Sequence, residues 1–145
     1  MTSAGADPFR LQDTRRIHGA LDGVLAGLDP GRTLIVVHGD NPRGADAAAR
    51  RWVQVKLGAT AAPVREERHP ANWGAPCRET CRPGHRRQHD PAGDYCPAAG
   101  AYRNAEMVDA GADLCFAYIR NASRGATHCA GLADTAGIQV RRFVP

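Results

Sequence analysis

The chain alternates between two kinds of hydrophobic pattern. In residues 13–28, apolar positions recur three and four residues apart, as on one face of a helix, whereas residues 33–37 form a continuous apolar run rich in β-branched side chains. Helices are predicted at residues 13–28, 44–57, 98–110 and 125–136, and strands at residues 33–37, 63–68, 113–119 and 138–143. Asp13 is the predicted cap of the first helix, and Gly58 and Gly137 are predicted to end the second and fourth.

Strands that alternate with helices pair in parallel through right-handed crossovers. The pattern therefore predicts one α/β domain over residues 1–145, with a Rossmann-like parallel sheet and helices on both of its faces. The first strand is predicted to be buried on both faces. We expect the strands that end near Val37 and Ile119 to lie side by side or across a switch point, so that the turns after them face one crevice. Residues 72–97 interrupt the pattern as an irregular insertion.

The turns after these two strands are candidate ligand-binding segments. Residues 36–46, V-V-H-G-D-N-P-R-G-A-D, contain a strand end, a glycine-bearing turn and a helix start, and residues 114–127 repeat this layout. Such turns aim backbone N–H groups and the positive helix end at one point, where a phosphate or carboxylate can bind. Because the chain contains two such turns, we expect a ligand of about the size of a nucleotide.

The candidate ligand-binding residues are His38, Gly39, Asp40, Arg43, Gly44 and Asp46 in the first turn, Ser123, Arg124, Gly125 and Thr127 in the second, and Arg103 and Asn104 near the start of the third helix. The alternative is a pair of ordinary loops between strand and helix. In that case His38 only shapes its turn, and Ser123 only caps its helix.

The composition argues against several classes of protein, namely membrane proteins, secreted proteins and disulfide-stabilised proteins. No run approaches the ~20 apolar residues of a membrane span. The first residues have neither the basic nor the apolar part of a secretion signal. We therefore expect a cytosolic protein with no membrane partner. The formal net charge of +4 is moderate and does not by itself require nucleic acid. The five cysteines are an odd number in a chain without a signal, which argues against a disulfide framework.

The insertion at residues 72–97 contains a candidate metal site. It has almost no aliphatic residues, but it contains Cys77, Cys81, His85 and Cys96. Three thiols and an imidazole are the number and type of ligands that tetrahedral zinc takes. Zinc could supply the ordering energy that the segment lacks apolar residues to provide. The sequence predicts a closed, structural zinc site, with His89 as an alternative to His85. A reduced loop without metal and a disulfide are the other possibilities.

The same insertion is rich in arginine, with Arg78, Arg82, Arg86 and Arg87. A basic segment next to a nucleotide-binding fold could contact phosphates of nucleic acid. We favour a solvated loop, because only Trp73 and Tyr95 are near enough to stack on bases.

Six short motifs occur in an order that resembles one protein family. They are H-G-D-x-P-R-G-A-D-A at 38–47, H-P-A-N-W at 69–73, A-G-x-x-R-N-x-x-M-V at 99–108, G-A-D-L-C-F-A-Y at 111–118, S-R-G-A-T-H at 123–128 and A-G-I-x-V at 136–140. The chain resembles the YspA-like branch of the SLOG superfamily over residues 14–143, apart from the insertion. The resemblance implies a Rossmann-like fold, a nucleotide or nucleotide-derived ligand, and a possible homodimer. The superfamily also contains the DNA-processing protein A and the Lonely Guy phosphoribohydrolases.

The chain departs from the family pattern in two places. Family members usually open with a strand that ends in a V-T-G-S-R-like turn, but residues 1–5 lack its arginine. The strand before that turn is either lost or lies upstream of Met1. Lonely Guy enzymes combine an R-K-x-x-M helix, whose arginine matches Arg103, with a G-G-x-G-T-x-x-E segment whose glutamate position falls on Ala130. N-glycosidic hydrolysis needs a carboxylate. The sequence therefore favours a nucleotide-binding sensor or sequestering protein. A hydrolase of a nucleotide N-glycosidic or phosphate bond and a nucleic-acid-binding protein are the alternatives.

Overall fold

The computed structural model describes residues 11–59, 61–89 and 93–144. The chain divides into two compact units, Met1–His69 and Pro70–Pro145. The first unit contains α1 (Leu11–Ala26), β1 (Leu34–His38), α2 (Gly44–Ala59) and β2 (Val64–Arg68). The second contains β3 (Arg87–His89), β4 (Gly93–Tyr95), α3 (Ala99–Asp109), β5 (Leu114–Tyr118), α4 (Arg124–Thr135) and β6 (Gln139–Phe143). Over the part of the chain that the structure describes, no helix combines the length and the apolar character needed to cross a membrane.

In the first unit, α2 packs against a parallel pair of strands, and α1 packs against α2. β1 and β2 run in register from Leu34 opposite Val64 to His38 opposite Arg68. On α2, Trp52 is only 3% exposed, and its indole N–H donates to a carboxylate oxygen of Asp22 on α1 at 2.9 Å. Burying the indole while satisfying its only donor anchors α1 to α2. The parallel pairing places the end of β1, and the turn that follows it, at one edge of the strand pair.

In the second unit, β5 and β6 pair in parallel and α4 packs against them. Ala130 and Ala133 of α4 are 0% and 1% exposed, and such small side chains allow close packing. The rings of Tyr118 and Phe143, which lie opposite each other at the strand ends, stack with centroids 4.5 Å apart. Gly137 follows α4 with a φ of 78°, which confirms it as the residue that ends this helix.

The mixed α/β class is confirmed, with four helices and short parallel strand pairs in the described residues. β1 pairs with β2, and β5 pairs with β6, each within its own unit. The larger Rossmann-like sheet of a single domain stays a prediction. The same holds for the crevice shared by the strands that end near Val37 and Ile119. The predictions for residues 1–5 fall outside the described residues.

Three local predictions for the first unit are wrong. Asp13 lies inside α1 rather than before it, and as an acidic residue of the first turn it interacts with the helix dipole instead of capping the helix. Gly58 lies within α2 without a positive φ, because this helix continues to Ala59. Ile35 is 48% exposed, so β1 is not buried on both faces.

The insertion is not wholly irregular, contrary to the prediction. β3 and β4 form an antiparallel pair, from Arg87 opposite Tyr95 to His89 opposite Gly93. The three residues of β3 are exposed, and neither strand alternates between apolar and polar side chains. Hydrophobic patterning therefore could not reveal these strands.

Candidate functional site

Cys77, Cys81, His85 and Cys96 come together in the second unit. Their ligand atoms all lie within 4.8 Å of one another. The Nε2 atom of His85 is 2.8 Å from the Sγ atom of Cys77 and 3.4 Å from that of Cys96. The Sγ atoms of Cys81 and Cys96 are 3.8 Å apart. This is the set predicted from the sequence, with His85 rather than His89 as its histidine. We refer to these four residues as the Cys3His cluster.

Two of the separations between the ligand atoms agree with those around a tetrahedral zinc ion. With zinc–sulfur bonds of about 2.3 Å and zinc–nitrogen bonds of about 2.0–2.1 Å, two sulfurs on one ion lie about 3.8 Å apart, and a sulfur and a nitrogen about 3.5 Å. The separations of 3.8 Å between Cys81 and Cys96 and 3.4 Å between Cys96 and His85 agree with these values. The 2.8 Å separation between Cys77 and His85 is shorter, so these two ligand atoms must move apart when an ion binds. The cluster could therefore bind a metal ion.

Short turns bring the four side chains to one place. Cys81 and His85 each donate their backbone N–H to the carbonyl three residues earlier, at 2.9 and 3.3 Å. Gly84, with a φ of 75°, adopts the left-handed conformation that reverses the chain before His85. Cys96 reaches the cluster from the other end of the insertion, and its N–H donates to the carbonyl of Trp73 at 3.0 Å. The backbone is thus fixed on both sides of the cluster.

Two side chains contact the cluster from outside it. The hydroxyl oxygen of Tyr102, on α3, is 2.8 Å from the Sγ atom of Cys81. Arg86 directs Nη1 to the Sγ atom of Cys77 at 3.5 Å, while its Nε and Nη2 atoms donate to Asp94 at 3.1 Å each. Neither contact could be predicted from the sequence, because Tyr102 lies outside the insertion and Arg86 is one of four similar arginines.

Hydrogen bonds and burial shift the pKa values of side chains in and beside the cluster. The hydrogen bond from Tyr102 lowers the pKa of Cys81 below its ordinary value. Cys96 is only 2% exposed, and burial raises the pKa of its thiol. The paired guanidinium of Arg86 lowers the pKa of Asp94. A bound cation deprotonates its thiol ligands outright, so the buried thiol of Cys96 would ionise when a metal ion binds.

The turn after β1 is organised around His38, which is 4% exposed. Its Nε2 atom is 2.9 Å from Oε1 of Glu66, and its Nδ1 atom accepts the backbone N–H of Asp40 at 3.1 Å. Because Nδ1 accepts, the proton of the neutral ring is on Nε2. Asp40 has a φ of 54°, which is uncommon for a residue other than glycine. His38 thereby holds a strained turn in place.

The remaining candidates of this turn form local hydrogen bonds. Asp46 accepts the N–H of Asn41 at 3.1 Å, and Asn41 accepts the N–H of Arg43 at 3.1 Å. Gly44 begins α2 with a φ of 72°, and Gly39 lies between His38 and Asp40. These bonds account for the shape of the turn without any ligand.

In the second unit, the structure brings Arg103, Asn104 and Gly125 together. The Nε atom of Arg103 donates to Oδ1 of Asn104 at 3.0 Å. The amide nitrogen of Asn104 donates to the carbonyl of Gly125 at 3.3 Å and lies 3.5 Å from Nδ1 of His128. Asn104 is 7% exposed, so this contact joins α3 to the first turn of α4 inside the unit. His128 was not among the candidates predicted from the sequence.

The turn before α4 is also strained. Asn121 and Ala122 are consecutive residues with φ values of 51° and 52°. Ser123 occupies the N-cap position, but its side chain makes no capping hydrogen bond. Arg124 and Thr127 are exposed near the start of the helix. The two candidate turns belong to different units, so their shared ligand stays a prediction.

The fold and the Cys3His cluster define a mixed α/β protein with a possible metal centre. No protein-family model and no solved structure matches the chain. The chain is 37% identical to the Gene 61 protein of Mycobacterium phage D29 over 110 residues, which cover 76% of this chain and 71% of the phage protein. The chain therefore belongs to the family of this phage protein.

Proposed function

We propose that the protein binds one zinc ion through Cys77, Cys81, His85 and Cys96. The observation that carries this proposal is the convergence of four ligand atoms within 4.8 Å of one another. Four protein ligands complete a tetrahedron and leave no position for a substrate, so the ion has a structural role. Three thiolates and one imidazole are soft and borderline ligands, a set that suits zinc better than magnesium or calcium.

The insertion needs such an ion because it lacks a core of its own. Among its described residues, Cys96 is the only buried hydrophobic residue. A segment that buries so little apolar surface does not recover the conformational entropy that it loses on folding. Binding of zinc couples directly to the folding of its ligands and supplies that free energy.

Zinc analysis of protein purified without chelator tests this proposal. The wild type should contain about one zinc per chain, and Cys81→Ser should contain far less. Cys115→Ser is the matched control, because Cys115 lies on β5 outside the cluster and burial raises the pKa of its thiol. Equal zinc contents in the wild type and in Cys81→Ser would refute the proposal.

A second candidate function is the binding of a nucleotide or nucleotide-derived ligand near the start of α4. It is supported by the contacts of Asn104 with Arg103 and Gly125, which bring together candidate residues from two separate segments of the chain. The strained turn at Asn121 and Ala122 supports it further, since such strain concentrates at ligand sites. The ligand would bind to the backbone N–H groups of the first turn of α4.

This second candidate is tested by replacing Gly125. A Cβ atom at this position would have no other atom within 4 Å, so Gly125→Leu should fold normally while its side chain obstructs the approach of a phosphate. A panel of nucleoside monophosphates and ADP-ribose should raise the Tm of the wild type and not that of Gly125→Leu. The candidate is rejected if no compound in the panel raises the Tm of the wild type.

We expect the ligand to be bound without rapid turnover. Ala130, at the position of the glutamate of Lonely Guy enzymes, is 0% exposed and offers no carboxylate. Nucleoside monophosphates incubated with the protein should therefore be recovered intact, and release of base or phosphate would favour the hydrolase alternative. Nucleic acid is a less favoured partner than a nucleotide. The guanidinium groups of Arg78 and Arg86 in the insertion are already paired with the carboxylates of Glu106 and Asp94.

A further inference from the structure

Tyr102 is the residue of α3 whose side chain reaches a thiol of the Cys3His cluster. Its hydroxyl oxygen lies 2.8 Å from the Sγ atom of Cys81 and 3.1 Å from the hydroxyl oxygen of Thr80. Cys81 and Thr80 belong to the insertion, whereas Tyr102 is more than twenty residues further along the chain, as the sequence separations of 21 and 22 show. One phenol therefore links the candidate metal centre to a helix outside it.

The direction of these hydrogen bonds follows from the chemistry of a bound cation. A cysteine that coordinates zinc does so as a thiolate and has no proton to donate. The Tyr102 hydroxyl must then donate to the sulfur of Cys81. Its oxygen is left as an acceptor for the hydroxyl of Thr80. The three groups form a directed chain, from Thr80 through Tyr102 to Cys81.

The ring of Tyr102 is held in place by other contacts. The guanidinium carbon of Arg78 lies 4.0 Å from the centroid of the ring, and an Nη atom of Arg78 is 3.2 Å from a carboxylate oxygen of Glu106, one turn further along α3. A cation over the ring face is attracted by the ring quadrupole. Arg78 thus fixes the plane of the ring, so the hydroxyl is already directed at Cys81 before any ion binds.

We propose that Tyr102 is a positioning residue of the zinc centre, which orients the Cys81 thiolate and withdraws charge from its sulfur by donating a hydrogen bond. The proposal rests on the binding of zinc proposed above. Groups that hydrogen-bond to metal ligands orient them and tune the metal, and their loss weakens affinity about 10–100-fold. Through Tyr102, occupation of the metal site also fixes α3, the helix that contains Arg103 and Asn104.

The test compares Tyr102→Phe with wild-type protein. Phenylalanine keeps the ring under Arg78 and removes only the hydroxyl. The Kd for zinc, measured by competition with a chelator, should rise about 10–100-fold. In cobalt-substituted protein, the sulfur-to-cobalt charge-transfer band should move to lower energy, because a thiolate that loses a hydrogen bond gives up its electron more easily. A purely structural role would not move this band while the site remains four-coordinate.

Tyr95→Phe is the matched control, since Tyr95 precedes Cys96 and its ring packs edge-on against Trp73 with centroids 5.9 Å apart. It should retain the affinity and the band of the wild type. Thr80→Val, which removes the donor to Tyr102, should produce a smaller shift in the same direction and serves if Tyr102→Phe folds poorly.

Each outcome decides between the two proposals. If the wild type binds neither zinc nor cobalt, the zinc centre itself is refuted. If the wild type binds both metals but Tyr102→Phe and Thr80→Val retain its affinity and its band energy, the zinc centre stands and the role of Tyr102 is overturned.

Discussion

Arg86 and Asp94 form a bidentate ion pair, in which Nε and Nη2 of the guanidinium each lie 3.1 Å from a different carboxylate oxygen. The third nitrogen, Nη1, donates to the carbonyl of Ala75 at 2.9 Å and lies 3.5 Å from the Sγ atom of Cys77. A zinc ion with three thiolates and one neutral imidazole has a net charge of about −1. In the proposed zinc centre, Arg86 would therefore place a cation beside an anionic cluster, and it links Cys77 to Asp94 on β4.

Replacing Arg86 should weaken the binding of zinc. In Arg86→Gln, the compensating charge is lost and the ion pair with Asp94 cannot form. We expect the zinc Kd to rise about 10-fold, the lower end of the range for groups that support metal ligands. Arg87→Gln is the control, because Arg87 is an exposed neighbour on β3. A similar loss of affinity in both variants would show that only the overall charge of the insertion matters.

Removal of a bound metal should loosen the insertion more than it loosens β5 and β6 of the same unit. Hydrogen–deuterium exchange, followed by mass spectrometry, should show faster exchange in residues 72–97 after treatment with a chelator. The N–H of Cys96, bonded to the carbonyl of Trp73, should be among those that lose protection. The N–H groups of β5 should keep theirs. Unchanged exchange throughout residues 72–97 would mean that the insertion is ordered without metal.

The left-handed residues before α4 predict a stabilising substitution. Ala122 has a φ of 52°, which costs an alanine more than a glycine. After the greater entropy loss of glycine is subtracted, Ala122→Gly should raise the free energy of unfolding by about 0.5–1 kcal/mol. Ala101→Gly, at an exposed position of α3, should lower it by about 1 kcal/mol. Urea unfolding measures both changes, and destabilisation by Ala122→Gly would contradict the strained turn.

Asp22 predicts a pH-dependent contribution to stability in the first unit. Its carboxylate accepts hydrogen bonds from Lys56 and Trp52, at 2.9 Å each, and these lower the pKa of Asp22 below its ordinary value of 3.8. A lowered pKa in the folded state means that the contribution is complete above pH 3.8 and is lost as the pH falls through the folded-state pKa.

Asp22→Asn should therefore lower the free energy of unfolding by at most about 1 kcal/mol at neutral pH, because the pair is half exposed. The difference between the variant and the wild type, measured by urea unfolding, should shrink below pH 3.8. Any metal that acid removes is lost from both proteins alike, so the comparison isolates Asp22. A difference that persists undiminished at about pH 2 would contradict this assignment.

The sequence was sufficient to predict the main helices, the four longer strands and the four residues that come together in the Cys3His cluster. Helical spacing and apolar runs are local signals, and β2 and α4 lie within about a residue of their predicted bounds. Cys77, Cys81, His85 and Cys96 could be selected because their side chains have ligand chemistry and the segment around them has little else to fold it.

The remaining features depend on tertiary contacts that leave no local signal. The β3–β4 pair is polar and short, and Gly58 could not be distinguished from a helix-ending glycine by position alone. The contact of Tyr102 arises only when the insertion folds against α3, and that of Arg86 only when β3 and β4 pair within the insertion. Family resemblance drew attention to Arg103 but not to Tyr102 beside it.

X-ray absorption at the zinc edge of the loaded protein reports the atoms bound to the ion, and it therefore decides whether Cys77, Cys81, His85 and Cys96 bind zinc. Three sulfur atoms should lie at about 2.3 Å and one nitrogen atom at about 2.0–2.1 Å from the ion. In His85→Ala the outer-shell scattering of the imidazole ring should disappear, whereas His89→Ala should leave the spectrum unchanged. A spectrum with only nitrogen and oxygen atoms bound to zinc, or a wild-type protein that retains no zinc, would rule out this zinc centre.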